Sequence, residues 1–558
     1  MDNERDEYRL GEQLYKGLTG RRYLIVLDDV WSVEVWDKIR FYFPDNGNRS
    51  RLIFTTRLSD VAFYCGSCCV RVNLLDECEC WDLFCVRVFG EEDCPLELEQ
   101  IGREIAKMCK GLPLSITVIG GLLQKSAKTV EYWHNVLENI RVILSSGEGD
   151  QCLNVLYSSY SHLPAHLKPC FLYMGTFQED REIPVSRITK LWAAEGFLKP
   201  KAARVLEEVA EDYLKDLIDR NLVLVGKYRK NGKVRSVYIH DLLRDLCISL
   251  ADREKLFSSA RVWYTSEDSS VRDLSRKCKL RFFAYSTANF SEFNLPSSIS
   301  SVWNLQTLIF QGTCGLVDAP AEIWEMSQLR HIVCNKIRLP DPPPSDQEDD
   351  TCVLRNLQTL VQVVNFIWTE EACKIIPNIK KLRVVFGDVL TDYEDCLCLH
   401  YIHNLCSLQK LESLNMRFPF CISRYPVDLL SKRLAFPTRL NKLCLRNYSL
   451  TREDLAMIGS LQHLQVLELE HSSFLGGEWS TFNGECPCLK FLRIDSCDVV
   501  CWASDTFAFR VLEKLVARDV WQLQEIPSEM GEISTLKLIH LHHCVKTWYH
   551  HNVEKRSK

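Results

Sequence analysis

From about residue 280 to residue 558, the apolar positions follow one recurring pattern, L-x-x-L-x-L. Copies begin at Leu305, Leu329, Leu357, Ile379, Leu411, Leu440, Leu464, Leu489, Leu512 and Leu536, with Ile, Val, Met, Phe, Cys or Ala at some apolar positions. The intervals are 24, 28, 22, 32, 29, 24, 25, 23 and 24 residues. Those in the twenties match the leucine-rich-repeat period. One such unit cannot bury its own leucines, so successive units stack into a solenoid of short parallel strands. Leu464, Leu467 and Leu469 are predicted in one continuous core with Leu440, Leu443 and Leu445. The intervening Gln465, Val466 and Glu468 are expected to be more exposed and to face the concave side. The acidic, Pro-rich run from Asp341 to Asp350 interrupts the array and reads as a loop between repeats.

The pattern ahead of residue 280 is different. Leu24-Ile25-Val26-Leu27 is a continuous apolar run that ends in Asp28-Asp29-Val30-Trp31. Such a run predicts a strand buried on both faces of a parallel sheet. A helical stretch from Glu34 to Tyr42 and a Pro44-Asp45-Asn46-Gly47 turn follow. Ser50 to Arg57 then reads as a second buried strand, ending in Thr55-Thr56-Arg57. Two parallel strands joined by a helix form a doubly wound α/β unit.

From Leu75 to Leu123 the spacing is helical. Trp81, Phe84 and Val88 recur on one face, as do Ile101, Ile105 and Met108. Gly111 is expected to end one helix and Pro113 to begin the next. Residues 152 to 252 read as a helical unit with a wing. One helix begins at Pro184 and runs through Trp192, and another covers Ala202 to Arg220. Leu222–Val225 and Val234–Ile239 then flank the hairpin signal Asn231-Gly232. Asp241 is expected to cap the helix Leu242 to Leu250. The fold class is therefore α/β and multidomain: a partial α/β domain, a helical domain, a winged helix and a repeat solenoid. Domain bounds are expected at 1–75, 76–151, 152–260 and 280–558.

Composition narrows the partners. A formal net charge of -6 offers no global basic footprint for nucleic acid. The acids Glu207, Glu208, Glu211 and Asp212 on one predicted helix argue against a DNA-docking winged helix. No apolar stretch approaches the roughly 20 residues of a membrane helix, and the first residues carry no secretory or acylation signal. The 26 cysteines are expected as reduced thiols in the cytosol. Cys65 with Cys68, Cys396 with Cys398, and Cys486 with Cys488 lack a matching second pair at zinc spacing, so they are expected to pack as small apolar side chains. His542-His543 and His550-His551 read as a polar end-cap.

Candidate chemistry collects at strand ends. Acids at the carboxyl end of a parallel strand sit in the crevice where open α/β sheets bind ligands. In P-loop ATPases this is the Walker B position, whose Asp helps hold Mg²⁺. Arg57, on the same edge, could sense a terminal phosphate through a charge-assisted hydrogen bond, or be an ordinary loop arginine. The phosphate loop G-x-x-x-x-G-K-[ST] occurs nowhere in the sequence.

The ordered set of Leu-Asp-Asp-Val-Trp, Thr-Thr-Arg, Gly-Leu-Pro-Leu, a winged helix ending in Ile239-His240-Asp241, and leucine-rich repeats resembles the plant nucleotide-binding leucine-rich-repeat (NLR) disease-resistance proteins. Leu74 to Phe84, Leu163 to Tyr173 and Leu191 to Phe197 also look like that family's motifs, and Trp31 resembles its coiled-coil class. The style is similar to the late blight resistance homologues of nightshade plants. The resemblance implies a switch: ADP locks a closed state with the repeats folded back, and effector perception favours ATP and assembly with other NLR chains. It implies that Asp28 helps hold Mg²⁺, Asp29 positions water and Arg57 senses the γ-phosphate. Pro113 would pack on adenine, with Gly111 and Leu114 in the same turn, and His240 would contact the ADP β-phosphate beside Asp241. Ile239 stands where the family usually has Met.

The resemblance also implies a coiled-coil domain, a P-loop and a preceding central strand, none of which is in this sequence. A truncated gene model, a decayed paralogue or a natural fragment would each explain this. Loss of a central strand is expected to expose strand edges and apolar surface. Little intrinsic nucleotide affinity is expected and no intact catalytic residue, Asp29 holding that role only by resemblance. The partners implied are a pathogen effector or guarded host protein, with a cytoplasmic location and peripheral membrane association as the alternative. The rival reading is a nucleotide-independent repeat module that binds another protein.

Overall fold

The computed structural model describes all residues except 1, 66–67, 146–150, 179–180, 200–203, 230–231, 255–261, 266–279, 288–291, 313–314, 344–352, 388–397, 420–434, 475, 483, 506–507 and 545–558. Most of the acidic Pro-rich run, Asn231, Cys396 and His550-His551 thus lie outside the described residues. The chain forms two compact units, one of residues 1–80 with 110–113 and one of residues 81–109 with 114–558.

The first unit opens with a helix, Asp2–Leu18, that the apolar pattern did not announce. Gly11 on that helix lies against Tyr42, and a Cβ there would sit 2.2 Å from the ring. Strands Leu24–Leu27 and Arg51–Phe54 pair in parallel, with Leu24 opposite Arg51 and Leu27 opposite Phe54. Between them runs the helix Val33–Ile39, whose first turn is capped by the Ser32 side chain accepting from the Val35 N–H. The two strands form a two-stranded sheet.

Burial on both faces, expected from the apolar run, is not what this sheet shows. Leu24 is 66% exposed, Val26 59% and Ile53 51%. The alternate residues Ile25 and Leu27 are only half-buried. Two strands alone leave one face without a covering layer, and apolar composition cannot supply one. The expected exposure of apolar surface is present.

In the second unit, helices Leu96–Met108 and Val130–Ser145 pack with the helix that ends at Phe89. Trp133 is fully buried, and the Phe84 ring meets it edge-on at 5.8 Å. Further along, Val185–Glu195, Leu206–Asp219 and Asp241–Glu254 surround a three-stranded sheet of Ile183–Pro184, Val234–Tyr238 and Leu224–Tyr228. The sheet is antiparallel throughout. The helix expected from Ala202 begins instead at Leu206, capped by Val205.

The repeats build one 14-stranded sheet in which every neighbour pair is parallel. Its ladder includes Lys442–Arg446, Val466–Glu470, Phe491–Asp495 and Lys514–Arg518 in uninterrupted register. Two strands, Val262–Thr265 and Phe282–Thr287, join it ahead of the first expected copy, and the first of them precedes residue 280. Leu440, Leu443, Leu445, Leu464, Leu467 and Leu469 are all fully buried in one continuous core. Return segments on the other side are short helices such as Glu370–Ile375 and Arg452–Gly459.

The intervening positions correct the pattern reading. Val466 is 6% exposed and Glu468 7%. Parallel rungs lie about 4.8 Å apart, so side chains at matching positions cover one another. Val466 packs with Phe491 and Val516, and the Glu468 carboxylate meets Lys442 Nζ at 3.1 Å. A second device is regular. Asn447, His471, Ser496 and Asp519, each just after a strand, have φ between 50° and 59°. Each then donates its N–H to the next strand's last carbonyl, as Asn447 does to Glu470 at 3.0 Å. A short polar side chain tolerates that left-handed turn better than a branched apolar one.

Candidate functional site

Parallel pairing brings Asp28 and Asp29 beside the Thr-Thr-Arg segment. The Thr55 hydroxyl donates to Asp28 Oδ1 and accepts from the Asp29 N–H at 2.9 Å. The ladder continues through Thr55 N–H to Leu27 O at 3.0 Å and Val30 N–H to Thr55 O at 2.9 Å. Asp29 has φ 51°, a left-handed turn that aims its carboxylate at Arg57. Arg57 Nη2 lies 3.3 Å from Asp29 Oδ2, and both side chains remain solvent-accessible. The structure therefore gathers Asp28, Asp29, Thr55 and Arg57 at one strand edge. Thr55 was not singled out from sequence, although it is the first residue of the same motif.

Gly111 follows Lys110 in a left-handed turn, with φ +75°. Its carbonyl accepts from the Leu75 N–H at 3.0 Å, and an added Cβ would fall 2.5 Å from Leu75 O. Only glycine satisfies both the backbone angle and the space. Pro113 is the first residue of the helix Pro113–Gln124, as the Gly–Pro asymmetry predicts. It is exposed, and Leu114 is half-buried.

His240 and Asp241 belong to the second unit. The helix there starts at Asp241, so that residue lies inside the first turn rather than capping it. The cap is His240. Its Nδ1 accepts from the Leu242 N–H at 3.3 Å and its carbonyl from the Arg244 N–H at 2.9 Å. An acceptor at Nδ1 assigns the ring proton to Nε2. Asp241, one residue on, complements the positive end of the helix. Arg244 Nε donates to Phe177 O at 2.8 Å and holds this helix on the preceding ones.

The acids that argued against DNA binding have another use. On the helix Leu206–Asp219, Glu207 receives Arg330 bidentately, Nε at 2.9 Å and Nη2 at 2.7 Å. His331 Nε2 lies 3.0 Å from the same carboxylate. With its amide nitrogen turned to Glu207, Gln358 donates at 3.2 Å and accepts from Arg330 at 2.7 Å. Glu208 pairs with Lys380 at 2.8 Å, and Lys380 reaches Glu412 at 3.4 Å. The winged helix is thus clamped to the repeat strands by a charge network. Arg330, Gln358 and Lys380 each follow the first Leu or Ile of a repeat. Polar residues at that one position in consecutive copies were the available signal.

Burial sets the protonation of this network. For Glu207, burial works against ionisation but is outweighed by hydrogen bonds from His331 and Arg330, so the carboxyl stays well below its usual range. Burial and the neighbouring Lys190 push His331 down to about 4. Lys190 itself is lowered to about 8, chiefly by burial and then by Lys381. At neutral pH His331 is therefore an uncharged donor to an ionised Glu207.

Among the described residues, two groups bring three metal-capable atoms within 4.8 Å of one another: Asp519, His542 and His543, and Cys444, Glu468 and Glu470. In the second group the carboxylates already meet Lys442 and Arg446. Cys65, Cys68, Cys486 and Cys488 are free thiols and belong to neither group. No described helix is long and apolar enough to cross a membrane.

The NB-ARC domain family matches residues 1–94, and the winged-helix domain of disease resistance proteins matches residues 176–247. A late blight resistance protein of Solanum demissum is 33% identical over 96% of this chain and 46% of its own length. Two putative late blight resistance protein homologues of the same plant are each 32% identical, over 97% and 96% of this chain and 46% of their own lengths. The chain thus spans about half the length of the curated relatives it matches. Among solved structures, the leucine-rich-repeat ectodomain of the Arabidopsis thaliana receptor kinase GASSHO1/SCHENGEN3 matches 49% of this chain and 31% of its own. That match has 20% identity and a TM-score of 0.30, too slight a likeness to bear on function. An NB-ARC segment and a disease-resistance winged helix thus precede a repeat solenoid, in a chain that is similar over nearly its whole length to late blight resistance proteins.

Proposed function

We propose that the chain acts in plant immunity as a disease-resistance protein of this class. Its repeats recognise a pathogen effector or a guarded host protein, and it signals through an ADP/ATP-controlled switch. The observation that carries this reading is the strand-edge group in which Thr55 holds Asp28 while Arg57 holds Asp29. Oxygen donors of this kind suit Mg²⁺. Asp28 would hold the ion, Asp29 would position water and Arg57 would sense a γ-phosphate. Gly111, Pro113 and Leu114 would form the adenine turn, and His240 would face the ADP β-phosphate, with Asp241 as its switch neighbour. The nucleotide supplies the phosphates whose number sets the state.

Phosphate grip is where the residues at hand do not fit. Backbone N–H groups of a P-loop and its Lys carry most of it, and this sequence holds no such motif. We therefore expect weak nucleotide affinity, no ATP hydrolysis, and a cytoplasmic protein that at most touches membranes peripherally. Calorimetric titration of the full chain with ADP and Mg²⁺ tests this. Millimolar or undetectable binding is expected, and stoichiometric ADP retained through purification would contradict it. The continuous repeat core favours a second reading, a nucleotide-independent interaction module that binds a protein partner or another chain of the family. Partner capture that persists without any nucleotide would favour it.

A further inference from the structure

The left-handed turns that close the repeat strands stack one above the next. On the last two described rungs they set a carboxylate beside an imidazole. Strands Lys514–Arg518 and Leu538–His542 pair in parallel, with Arg518 opposite His542. Asp519 and His543 each follow their strand by one residue, with φ 50° and 51°. The Asp519 N–H donates to the His542 carbonyl at 2.9 Å. Rungs about 4.8 Å apart bring matching side chains together, and Asp519 Oδ1 lies 3.0 Å from His543 Nδ1.

His542 joins them through the same turn. Successive side chains of a strand point to opposite faces. The left-handed backbone at His543 breaks that alternation, and the two imidazole centroids lie 3.8 Å apart, inclined at 52°. One ligand atom from each of Asp519, His542 and His543 thus falls within 4.8 Å of the other two. Trp521 stacks on His543 at 5.6 Å and 15°, which steadies the plane of that ring. Cys544 stands outside the group. Its Sγ faces the Ala517 and His542 carbonyls, and burial pushes its thiol up.

Two imidazoles and a carboxylate are the donor set of a three-ligand zinc site with a position left for water. Imidazole suits Zn²⁺, whereas Mg²⁺ and Ca²⁺ prefer oxygen donors. Donors around one tetrahedral zinc ion lie about 3.3 Å apart at bond lengths of about 2.0–2.1 Å. The Asp519 and His543 side chains are 39% and 58% exposed, so small rotations close the remaining gap. The other described group, Cys444, Glu468 and Glu470, differs in its partners. Its carboxylates answer Lys442 and Arg446, whereas Asp519 answers an imidazole that is itself a metal donor. The strand Leu538–His542 also ends the described ladder, with Leu538 45% and Ile539 44% exposed. An ion held by both rungs would tie it to the strand before it.

We propose that Asp519, His542 and His543 bind one Zn²⁺ ion that clips the strand Leu538–His542 to its neighbour. The site shares no residue with the strand-edge group assigned to nucleotide, so the proposal goes beyond the switch reading.

The test is a Zn²⁺ titration of the untagged full chain under reducing conditions, read by calorimetry and by amide exchange. The chain should bind one equivalent more than each of the variants Asp519→Asn, His542→Gln and His543→Asn, with about micromolar affinity or tighter. Zn²⁺ should slow exchange in Leu538–His542 by roughly tenfold or more, and should not do so in the variants. None of the three side chains is buried, so thermal midpoints without metal should hold. Asn also tolerates the left-handed turns at 519 and 543. Should one midpoint fall, the variants that keep theirs decide. Mg²⁺ in place of Zn²⁺ should give no protection. The double change His550→Ala and His551→Ala should leave the equivalent in place. Binding only at about millimolar Zn²⁺, a stoichiometry unmoved by the three changes, or loss of the equivalent with His550 and His551 would overturn the proposal.

Discussion

The strands Leu24–Leu27 and Val466–Glu470 are both short, parallel and rich in leucine and valine, yet they end in opposite environments. Leu24 and Val26 are 66% and 59% exposed, whereas Leu467 and Leu469 are fully buried. The difference is supplied by neighbours. In the repeat sheet the strand Val466–Glu470 has another on either side, so the leucines of one rung cover those of the next. The two-stranded sheet has one partner per strand. An apolar run specifies a strand; the stack around it decides whether burial follows. The repeat sheet is braced by its neighbours, and the two-stranded sheet stands on few contacts.

The sharpest way to break that comparison is to attack what holds the braced repeats. Glu207→Ala should cost about 3–5 kcal/mol, because it leaves the Arg330 guanidinium as an uncompensated, largely buried charge. Denaturant unfolding of the full chain would register it, and a loss under about 1 kcal/mol would show that the clamp is ornamental. Leu467→Ala should cost about 2–5 kcal/mol through its cavity, whereas Val26→Thr on the open face should stay within about 0.5 kcal/mol. Comparable losses for the two would erase the distinction.

The clamp should also be pH-sensitive. Burial first, then Lys190, lowers the folded pKa of His331 from 6.5 to about 4. In that window the unfolded chain binds a proton that the folded chain does not, so the stabilising effect present above pH 6.5 is lost as pH falls through about 4. His331→Gln should flatten this part of the stability profile, and an unchanged slope would remove His331 as its source. Among the losses expected here, Thr55→Val is a modest one of about 1 kcal/mol, the value of a partly exposed hydrogen bond. It should speed amide exchange at Asp29, whose N–H donates to Thr55.

Much of this was legible in the sequence because it rests on periodicity. The buried leucines of two adjacent copies and the Gly111–Pro113 turn follow from spacing and backbone chemistry. The exposed face of Leu24–Leu27 was less legible, since a run of four apolar residues looks the same with or without a covering layer. Val466 and Glu468 were misjudged because pattern assigns a face, whereas rung-to-rung packing decides exposure. The capping role passed from Asp241 to His240 because a ring nitrogen two residues back can reach the Leu242 N–H as a carboxylate would. The clamp escaped notice because Glu207 and Arg330 are 123 residues apart, and local charge patterning cannot see a partner at that distance.

Site-resolved amide hydrogen exchange on the full chain, with and without ADP and Mg²⁺, tests the contrast most directly. Strands Lys442–Arg446 and Val466–Glu470 should be protected to near the global unfolding limit. Leu24–Leu27 and Arg51–Phe54 should exchange orders of magnitude faster, and nucleotide should not slow them. Equal protection of both sheets, or strong slowing of the Leu24–Leu27 and Arg51–Phe54 amides by ADP, would contradict the contrast between a braced repeat sheet and an open, weakly nucleotide-responsive two-stranded sheet.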